Sequence, residues 1–562
     1  MRDADPRSAN RFYLVLALAL IAIAATLLLV WNVPAHGGVD ENAYLVAGRQ
    51  IALTGRPQLT PVHYASSPVP TCVGDMWVGQ NLGTPQERFL PKYPPLVPLL
   101  VAGALRIGGQ GLGVDLAYLL NPIGYCIGLL GVYLLARQLV GPGPAIAALA
   151  VVITSVPLLR LFTFPGSHGI SFALASMAAY CLVRWLDDAT WRHAVGAGVL
   201  CALAAAARSG EIVLIAPLLV AAAMRLGQSK RDLQQALTML GAWGLVLGLF
   251  IALQFAWSGQ WSLYASTGES KAFALHFLMG HLPIALEHLF MRGIGLMLPL
   301  GLIGLVMLSR RNRAVGLAMA AWVAANILLY ASYYWAPLDS FNIYGRLFLP
   351  SFAPLCACGV ACLVWLFAAT PDRAKKRGLQ VSLWLAVLIS AGIASLNVVP
   401  FFGVDTMSRM NVQDRAQWLG ERVPADAVVF CDELDVMYDL QFVANYTLYD
   451  SRMFRRADLE SLMPLEANEL SGLDPERRRY LKEALLWRTP EQLTALRDDL
   501  IAAYKQAGRR VFIFSGPKHA WAPFDRLEQR GLQTVLVAQE KDKWLPLPTI
   551  PDRWSLEEVV AK

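Results

Sequence analysis

Long apolar runs, separated by short polar connections, dominate roughly the first 400 residues of the chain. The first run covers residues 11–31, and ten others follow it. These lie near residues 114–136, 144–159, 168–186, 194–207, 211–225, 237–257, 288–308, 314–335, 347–369 and 379–401. Because a helix needs about 20 apolar residues to cross the hydrocarbon core of a bilayer, the pattern predicts about eleven membrane-spanning helices.

A further apolar stretch, residues 94–109, decides which end of each predicted span faces the cytoplasm. Its three prolines and modest length suit an interfacial helix better than a full crossing. If this stretch does not cross the membrane, the cytoplasmic loops contain 13 basic residues and the outer loops contain five. If it does cross, the cytoplasmic loops contain five and the outer loops 13. Because cytoplasmic loops favour Lys and Arg, we expect residues 94–109 to lie on the outer face.

The N-terminus carries Arg2, Arg7 and Arg11 ahead of the first apolar run, which predicts that this end is cytoplasmic. The run itself is too long to be the apolar core of a cleavable signal peptide. With eleven spans, everything after about residue 402 is expected outside the cytoplasm.

Composition separates the chain into two regions. Only 16% of all residues are charged, against about a quarter in ordinary soluble proteins. Residues 1–404 hold 26 Lys and Arg against 15 Asp and Glu, whereas residues 405–562 hold 22 against 26. The basic surplus therefore belongs to loops beside a membrane, and since no nucleic-acid motif occurs, no nucleic-acid partner is expected.

The charged C-terminal region has the pattern of a small α/β domain. Strands are predicted at 426–433, 509–516 and 534–540, and helical spacing covers 474–508 with an interruption at Pro490. No glycine-rich phosphate loop occurs there, so no nucleotide is expected.

These patterns together predict a polytopic α-helical membrane protein with a C-terminal extracytoplasmic α/β domain. The membrane module covers residues 1–404, with a first outer loop at 34–93 and an interfacial helix at 94–109. The soluble domain covers residues 405–562.

Neither the cysteines nor the histidines form a pattern that requires a metal. Cys356, Cys358 and Cys362 lie inside an apolar run, where a thiol behaves as a small hydrophobic group. Cys72 and Cys431 are both expected outside, where a disulfide between them is conceivable. Three histidines, His276, His281 and His288, invite a zinc site, but their spacing is not a standard ligand pattern. No cofactor is expected, and a divalent metal is not supported.

Two adjacent carboxylates, Asp40 and Glu41, follow directly after the first predicted span, in VDENAYLVAGRQIALTG (39–55). One interpretation makes Asp40 the N-cap of a helix beginning near Asn42, with Glu41 in the first turn. The other makes Asp40 a general base at the membrane surface. Charged groups beside hydrocarbon are costly and often functional, which favours a chemical role.

Three segments resemble those of the class C polyprenyl-phosphate-dependent glycosyltransferases, which include bacterial aminoarabinose transferases and protein O-mannosyltransferases. VDENAYLVAGRQIALTG resembles their Asp-Glu-x-x-Tyr segment, PKYPPLVPLL (91–100) their Lys/His-x-Pro-Pro-Leu element, and YGRLFLPSFAP (344–354) a late Arg-Tyr-Leu-Leu-Pro segment. The loop FTFPGSHGISF (162–172) departs from the family, because Ser167 and His168 stand where an acid is common.

The resemblance implies a bacterial inner-membrane enzyme that moves a sugar from a polyprenyl phosphate to an extracytoplasmic acceptor, with inversion. Asp40 would be the base, with Glu41 beside it. Lys92 and Arg346 would stabilise the departing phosphate. An alternative role for Lys92 is to extend its charged end to the lipid headgroups. An alternative role for Arg346 is an ion pair with Asp339.

Other substrate-binding candidates lie in the predicted outer loops. Arg88 and Tyr93 belong to the first loop, and Lys271 lies in the longest later one, STGESKAFALHF (266–277). His168 would either contact the substrate or cap a helix. A transporter, a lipid flippase and a non-catalytic envelope-polymer assembly protein are the competing functions, although few charges lie deep inside the predicted spans.

Overall fold

The computed structural model describes most of the chain. The described residues are 6–36, 38–57, 93–109, 111–226, 229–259, 273–334, 336, 344–368, 373–395, 399–444, 446–450, 489–516, 525–541 and 553–562.

Helices make up nearly all of the described N-terminal part. They are α1 (Pro6–Trp31), α2 (Val39–Thr54), α3 (Leu96–Gly108), α4 (Leu112–Val140), α5 (Pro142–Ile153), α6 (Val156–Phe162), α7 (His168–Asp188), α8 (Trp191–Ala207), α9 (Ile215–Arg225), α10 (Lys230–Ser258), α11 (Leu275–Glu287), α12 (Met297–Arg311), α13 (Arg313–Ala331), α14 (Phe352–Ala368) and α15 (Arg373–Ser395). Short 3₁₀ turns precede α9 (Ser209–Leu214) and α14 (Gly345–Ser351), and a π-helical turn (His288–Ile294) follows α11.

Among the described residues, seven helices are long and apolar enough to cross a membrane, and nine if each of two bent pairs is one span. These nine match nine of the predicted segments. The remaining two correspond to α8, with 17 residues, and α9, with 11. Both are apolar helices that are shorter than the candidate spans.

The two bent pairs have local causes. The 67° bend between α5 and α6 falls at Thr154–Ser155, just before Pro157. The 107° bend before α12 falls at Gly295, whose φ of 56° lies in the left-handed region that suits glycine. A Cβ at Gly295 would also lie 2.6 Å from the Ser390 backbone, and the Ser390 hydroxyl accepts from the Leu296 N–H at 3.1 Å.

The stretch predicted as an interfacial helix folds as α3. Its 13 residues rise only about 20 Å, which is shorter than the ~30 Å hydrocarbon core. It packs against α2, where Gly48 lies against Val101 so closely that an added Cβ would come within 2.5 Å of it. Its position in the membrane interface stays a prediction.

Polar contacts identify one end of the helical bundle. The Asp187 carboxylate accepts from Gln138 at 2.8 Å and from Asn312 at 3.3 Å, and Arg184 donates to Gln138 at 3.0 Å. These residues flank loops that were predicted to be basic and to share one side of the membrane. The first turns of α2 and α7 lie at the other end.

The C-terminal part begins with α16 (Val399–Arg422), which contains the predicted domain boundary at 404/405. It continues with β1 (Val428–Cys431), α17 (Leu434–Val443), β2 (Thr447–Asp450), α18 (Pro490–Gln506), β3 (Val511–Ser515), α19 (Asp525–Gln529), β4 (Leu532–Lys541) and β5 (Arg553–Ala561). The division into two domains stays a prediction.

The five strands form one mixed sheet in the order β2-β1-β3-β5-β4. β1 pairs in parallel with β2 and β3, whereas β5 pairs antiparallel with β3 and β4. The three strands expected from the sequence are present as β1, β3 and β4. The sheet's apolar residues share a buried cluster with Leu45 of α2, Val101 of α3 and Tyr118 of α4, so this region packs directly on the helices around the first carboxylates.

Candidate active site

The first carboxylate lies inside a helix rather than at its cap. α2 begins at Val39, its N-cap is Gly38, and no side chain caps the helix. The interpretation of Asp40 as the N-cap is therefore wrong. Asp40 and Glu41 both lie in the first turn, where the helix dipole favours negative charge.

Asp40 joins two segments that are distant in sequence. Its Oδ1 accepts a hydrogen bond from the Tyr93 hydroxyl at 2.5 Å, and its Oδ2 accepts from Arg346 Nη2 at 2.8 Å. The Asp40 side chain is still 40% exposed, and that of Arg346 20% exposed. The Asp40 carboxylate is therefore still partly open to solvent.

Arg346 is carried by the 3₁₀ turn Gly345–Ser351, which the protein holds firmly. The buried Tyr344 hydroxyl donates to the Tyr330 carbonyl at 3.0 Å, and Asn326 of α13 donates to the Leu347 carbonyl at 3.2 Å. These bonds attach the turn to α13, so Arg346 faces Asp40 from a fixed backbone.

Glu41 has a different environment from its neighbour. Burial raises the pKa of Glu41, the adjacent Asp40 charge raises it further, and Arg346 opposes both effects. The carboxylate lies over Gly38, where a Cβ would overlap Glu41 Oε2. Glycine at position 38 is therefore required for this placement.

Two tyrosines connect Asp40 to the loop before α7. The rings of Tyr44 and Tyr93 have centroids 4.6 Å apart, and the Tyr44 hydroxyl donates to Ser167 Oγ at 3.1 Å. Ser167 immediately precedes His168, the first residue of α7. The loop that lacks the family's acid is thus brought beside the Asp40 group.

His168 belongs to a second polar group, formed with Arg208 and Glu211. Arg208 Nη1 donates to His168 Nδ1, and a guanidinium can only donate, so Nδ1 carries no proton. A neutral His168 therefore holds its proton on Nε2.

Glu211 lies behind Arg208 and is only 1% exposed. Its Oε1 accepts from Ser171 Oγ at 3.0 Å and lies 3.7 Å from Arg208 Nε. Its Oε2 is buried and has no hydrogen-bond partner within the described part of the chain. The charges of Arg208 and Arg346 both act on His168 and Tyr44, so the two polar groups lie side by side.

The structure thus brings together four of the predicted site residues: Asp40, Glu41, Tyr93 and Arg346, with His168 adjacent. Lys92, Arg88 and Lys271 lie outside the described residues, as do Asp339 and Cys72. Sequence reasoning missed Tyr44, Arg208 and Glu211 as site residues. The available signal was Arg-Ser-Gly-Glu (208–211), a charged interruption between two apolar runs on the predicted outer face.

Within the described residues, no group of three His, Cys, Asp or Glu side chains could hold a metal ion. Of the histidines considered for zinc, His281 Nδ1 contacts the Tyr333 carbonyl at 2.7 Å and His288 is buried beside the Tyr344 ring. Cys356, Cys358 and Cys362 are buried free thiols.

Comparison with known proteins gives a family match and a fold match. Residues 92–257 match the family model described as dolichyl-phosphate-mannose-protein mannosyltransferase. No curated protein matches the sequence.

Among solved structures, the chain is similar to ArnT from Cupriavidus metallidurans bound to undecaprenyl phosphate. The sequences are 13% identical, the match covers 96% of this chain and 97% of that one, and the TM-score is 0.57. ArnT in the apo state matches at the same identity and coverage, with a TM-score of 0.56.

The fold is therefore shared over nearly the whole chain, and the family match covers part of the helical bundle together with the segment that carries Tyr93. A transporter, a flippase or a non-catalytic assembly protein does not account for that match. We conclude that the chain has the fold of the class C membrane glycosyltransferases over nearly its whole length, and that residues 92–257 match a glycosyltransferase family model.

Proposed function

We propose that this enzyme transfers a sugar from a polyprenyl-phosphate-linked donor to a hydroxyl or amine acceptor on the extracytoplasmic side of a bacterial inner membrane. The observation that carries the proposal is Asp40, a partly exposed carboxylate oriented by Tyr93 and Arg346 at one end of the helical bundle.

A lipid-linked donor fits the position of this site. The carboxylate follows directly after α1, a candidate span, so a donor whose tail lies in the bilayer would present its sugar at this level. A solved structure with the same fold, ArnT, holds undecaprenyl phosphate. Nucleotide sugars are not expected outside the cytoplasm, which also favours a lipid donor.

Asp40 is proposed as the general base. The acceptor O–H or N–H attacks the anomeric carbon of the sugar, and its proton passes to Asp40. The bond between that carbon and the phosphate oxygen breaks, and its electron pair leaves with the polyprenyl phosphate. A single in-line displacement of this kind inverts the anomeric centre.

Cations and hydrogen-bond donors would stabilise the charge that develops on the leaving phosphate. Arg346 stands next to Asp40 and is the first candidate. Lys92 immediately precedes Tyr93 in sequence and is the second. His168, with its proton on Nε2, would supply a neutral donor toward a substrate oxygen.

The direct test uses purified protein in lipid nanodiscs with radiolabelled sugars on undecaprenyl phosphate, offered with lipid, glycan and peptide acceptors in turn. Asp40→Asn keeps the shape of the side chain but cannot accept a proton. Removal of a positioned general base typically costs about 10²–10⁴-fold in rate, and we expect a loss of kcat in that range.

The matched control is Asp115→Asn, the same substitution at an exposed acid in the first turn of α4. This variant should retain the parental rate. An Asp40→Asn enzyme with parental kcat would show that Asp40 only holds Arg346, and the base would then have to be found elsewhere.

The sidedness of the proposal has its own test. Single cysteines placed in the C-terminal region, for example at the exposed Glu528 on α19, should react with membrane-impermeant reagents added from outside. Reaction from the cytoplasmic side alone would contradict an outward-facing site.

A further inference from the structure

A buried polar network connects the C-terminal region with the start of α2. It consists of His36, which precedes α2, Tyr118 of α4, Asp439 of α17 and Asn42 of α2. All four side chains are buried. The Phe442 ring covers the network, with its centroid 6.3 Å from that of His36 and 5.8 Å from that of Tyr118.

The hydrogen bonds of this network involve both ring nitrogens of His36. The Tyr118 hydroxyl donates its single hydrogen to Asp439 Oδ1 at 2.9 Å. Toward His36 Nδ1, 2.8 Å away, the same oxygen can only accept, so Nδ1 carries a proton. His36 Nε2 lies 3.1 Å from Asn42 Oδ1, so the ring bridges Tyr118 and Asn42.

The carboxylate of Asp439 lies beside the His36 ring in this buried network. The distance from His36 Nδ1 to Asp439 Oδ1 is 3.4 Å. A buried charge needs such a partner, because an isolated ion in a protein interior is very unfavourable. The other charged groups that act on the network are Glu41 of α2 and Arg409 of α16.

We propose that Asp439 positions the N-terminal end of α2, and with it Asp40, through Tyr118 and the His36 imidazole ring. His36 is four residues before Asp40 in sequence, and it binds Asn42 in the same helical turn as Asp40. The C-terminal region then contributes to the geometry of the active site. This proposal rests on the proposed function in one respect, namely that Asp40 is the base.

The kinetic test compares Asp439→Asn and Tyr118→Phe with the parent. A displacement of about 1 Å at a catalytic group can cost about 10²-fold in rate, so we expect kcat to fall about 10- to 100-fold. KM for the lipid-linked sugar should change little, because both side chains are buried.

The matched control is Asp498→Asn. Asp498 is a fully buried acid of the same C-terminal region, paired with Arg497 on α18. Its replacement should lower the unfolding temperature without lowering kcat of the folded enzyme. If Asp439→Asn and Tyr118→Phe behave in the same way as Asp498→Asn, the network only holds the fold and the proposal is wrong.

The role of His36 is also tested by pH dependence. His36 lowers the pKa of Glu41, so Glu41 should take up a proton more easily in His36→Gln. The acidic limb of the kcat/KM profile should then move to higher pH. An unmoved limb together with a parental kcat would overturn the proposal. Should Asp439→Asn fail to fold, the double variant His36→Gln/Asp439→Asn replaces both titratable groups by neutral amides and should restore folding while keeping the moved limb.

A measurement without turnover separates this proposal from the proposed function. Hydrogen exchange of the α2 amides should accelerate in Asp439→Asn and in Tyr118→Phe but not in Asp498→Asn. If the parent transfers no lipid-linked sugar, the proposed function fails while this result can still stand. If the parent transfers sugar and α2 exchange is unchanged in all three variants, the positioning network fails alone.

Discussion

The protein contains two arginine–carboxylate pairs side by side, and they differ in exposure. In the first, Asp40 is 40% and Arg346 20% exposed. In the second, Glu211 is 1% and Arg208 11% exposed. Solvent reaches the first pair, whereas the second is enclosed by Ser171 and His168. An arginine–carboxylate pair can therefore be accessible for chemistry when it is exposed, and can orient a neighbouring side chain when it is buried.

The largest expected effect concerns the enclosed pair. Arg208→Met leaves Glu211 buried without its counter-charge, and breaking a buried ion pair costs about 3–5 kcal/mol. We expect a clear fall in the thermal unfolding temperature of the detergent-solubilised protein. The double variant Arg208→Met/Glu211→Gln, which removes both charges, should recover most of it. An unchanged unfolding temperature in Arg208→Met would show that the pair is not structural.

Substitution in the exposed pair, Asp40 and Arg346, should lower activity rather than stability. Arg346→Met removes a cation from the reaction site, and loss of one such stabilising group typically costs about 10²–10³ in kcat. Its unfolding temperature should change little, since exposed ion pairs contribute about 0–1 kcal/mol. Steady-state kinetics and thermal unfolding of the same preparation measure both. A stable, fully active Arg346→Met enzyme would remove Arg346 from the mechanism.

A smaller effect is expected where the two pairs meet, at His168. If its Nε2–H donates to substrate, His168→Gln should keep most activity, because the Gln amide nitrogen lies near the position of Nε2. His168→Asn places its amide nearer the position of Nδ1 and should lose about 1 kcal/mol, or about fivefold in kcat/KM. Equal losses in the two variants would contradict the proposed direction of this hydrogen bond.

The smallest effect concerns Glu41, whose pKa is raised in the folded protein by burial and by Asp40. A raised carboxyl pKa gives stability that is present at low pH and is lost as the pH rises through the folded-state value. Glu41→Gln removes this dependence, so it should stabilise the protein more at pH 8 than at pH 5. Thermal unfolding at the two pH values measures it, and a gain that is larger at pH 5 would show the opposite sign.

The sequence was sufficient for the parts of the site that are local. Asp40 and Glu41 stand out because two charges directly follow an apolar run, and a resemblance over three short segments brought Tyr93 and Arg346 into view. The contact between Asp40 and Arg346 could not be read from the pattern, because the two residues are 306 positions apart. Only the packing of the intervening helices brings them together.

Other features depend on detail that the sequence does not give. α8 and α9 resemble the other apolar runs in sequence but have only 17 and 11 residues as helices, because apolar composition does not show where a helix stops. The burial of Glu211 could not be recognised from its position beside an apolar run. Its burial depends on neighbours from other helices, such as Ser171 and Tyr330. The parallel strands β1 and β3 were recognisable because both are continuously apolar, as strands buried on both faces are.

The pairing of Asp40 with Arg346 also determines when the enzyme becomes competent during its synthesis. Asp40 leaves the ribosome among the first residues, but its partner follows 306 residues later. At a synthesis rate of about 5–20 residues per second, the carboxylate waits for at least about 15 s before that guanidinium exists. A nascent chain that has inserted its first helices therefore carries an incomplete site. The proposed site is therefore complete only after most of the bundle has been synthesised.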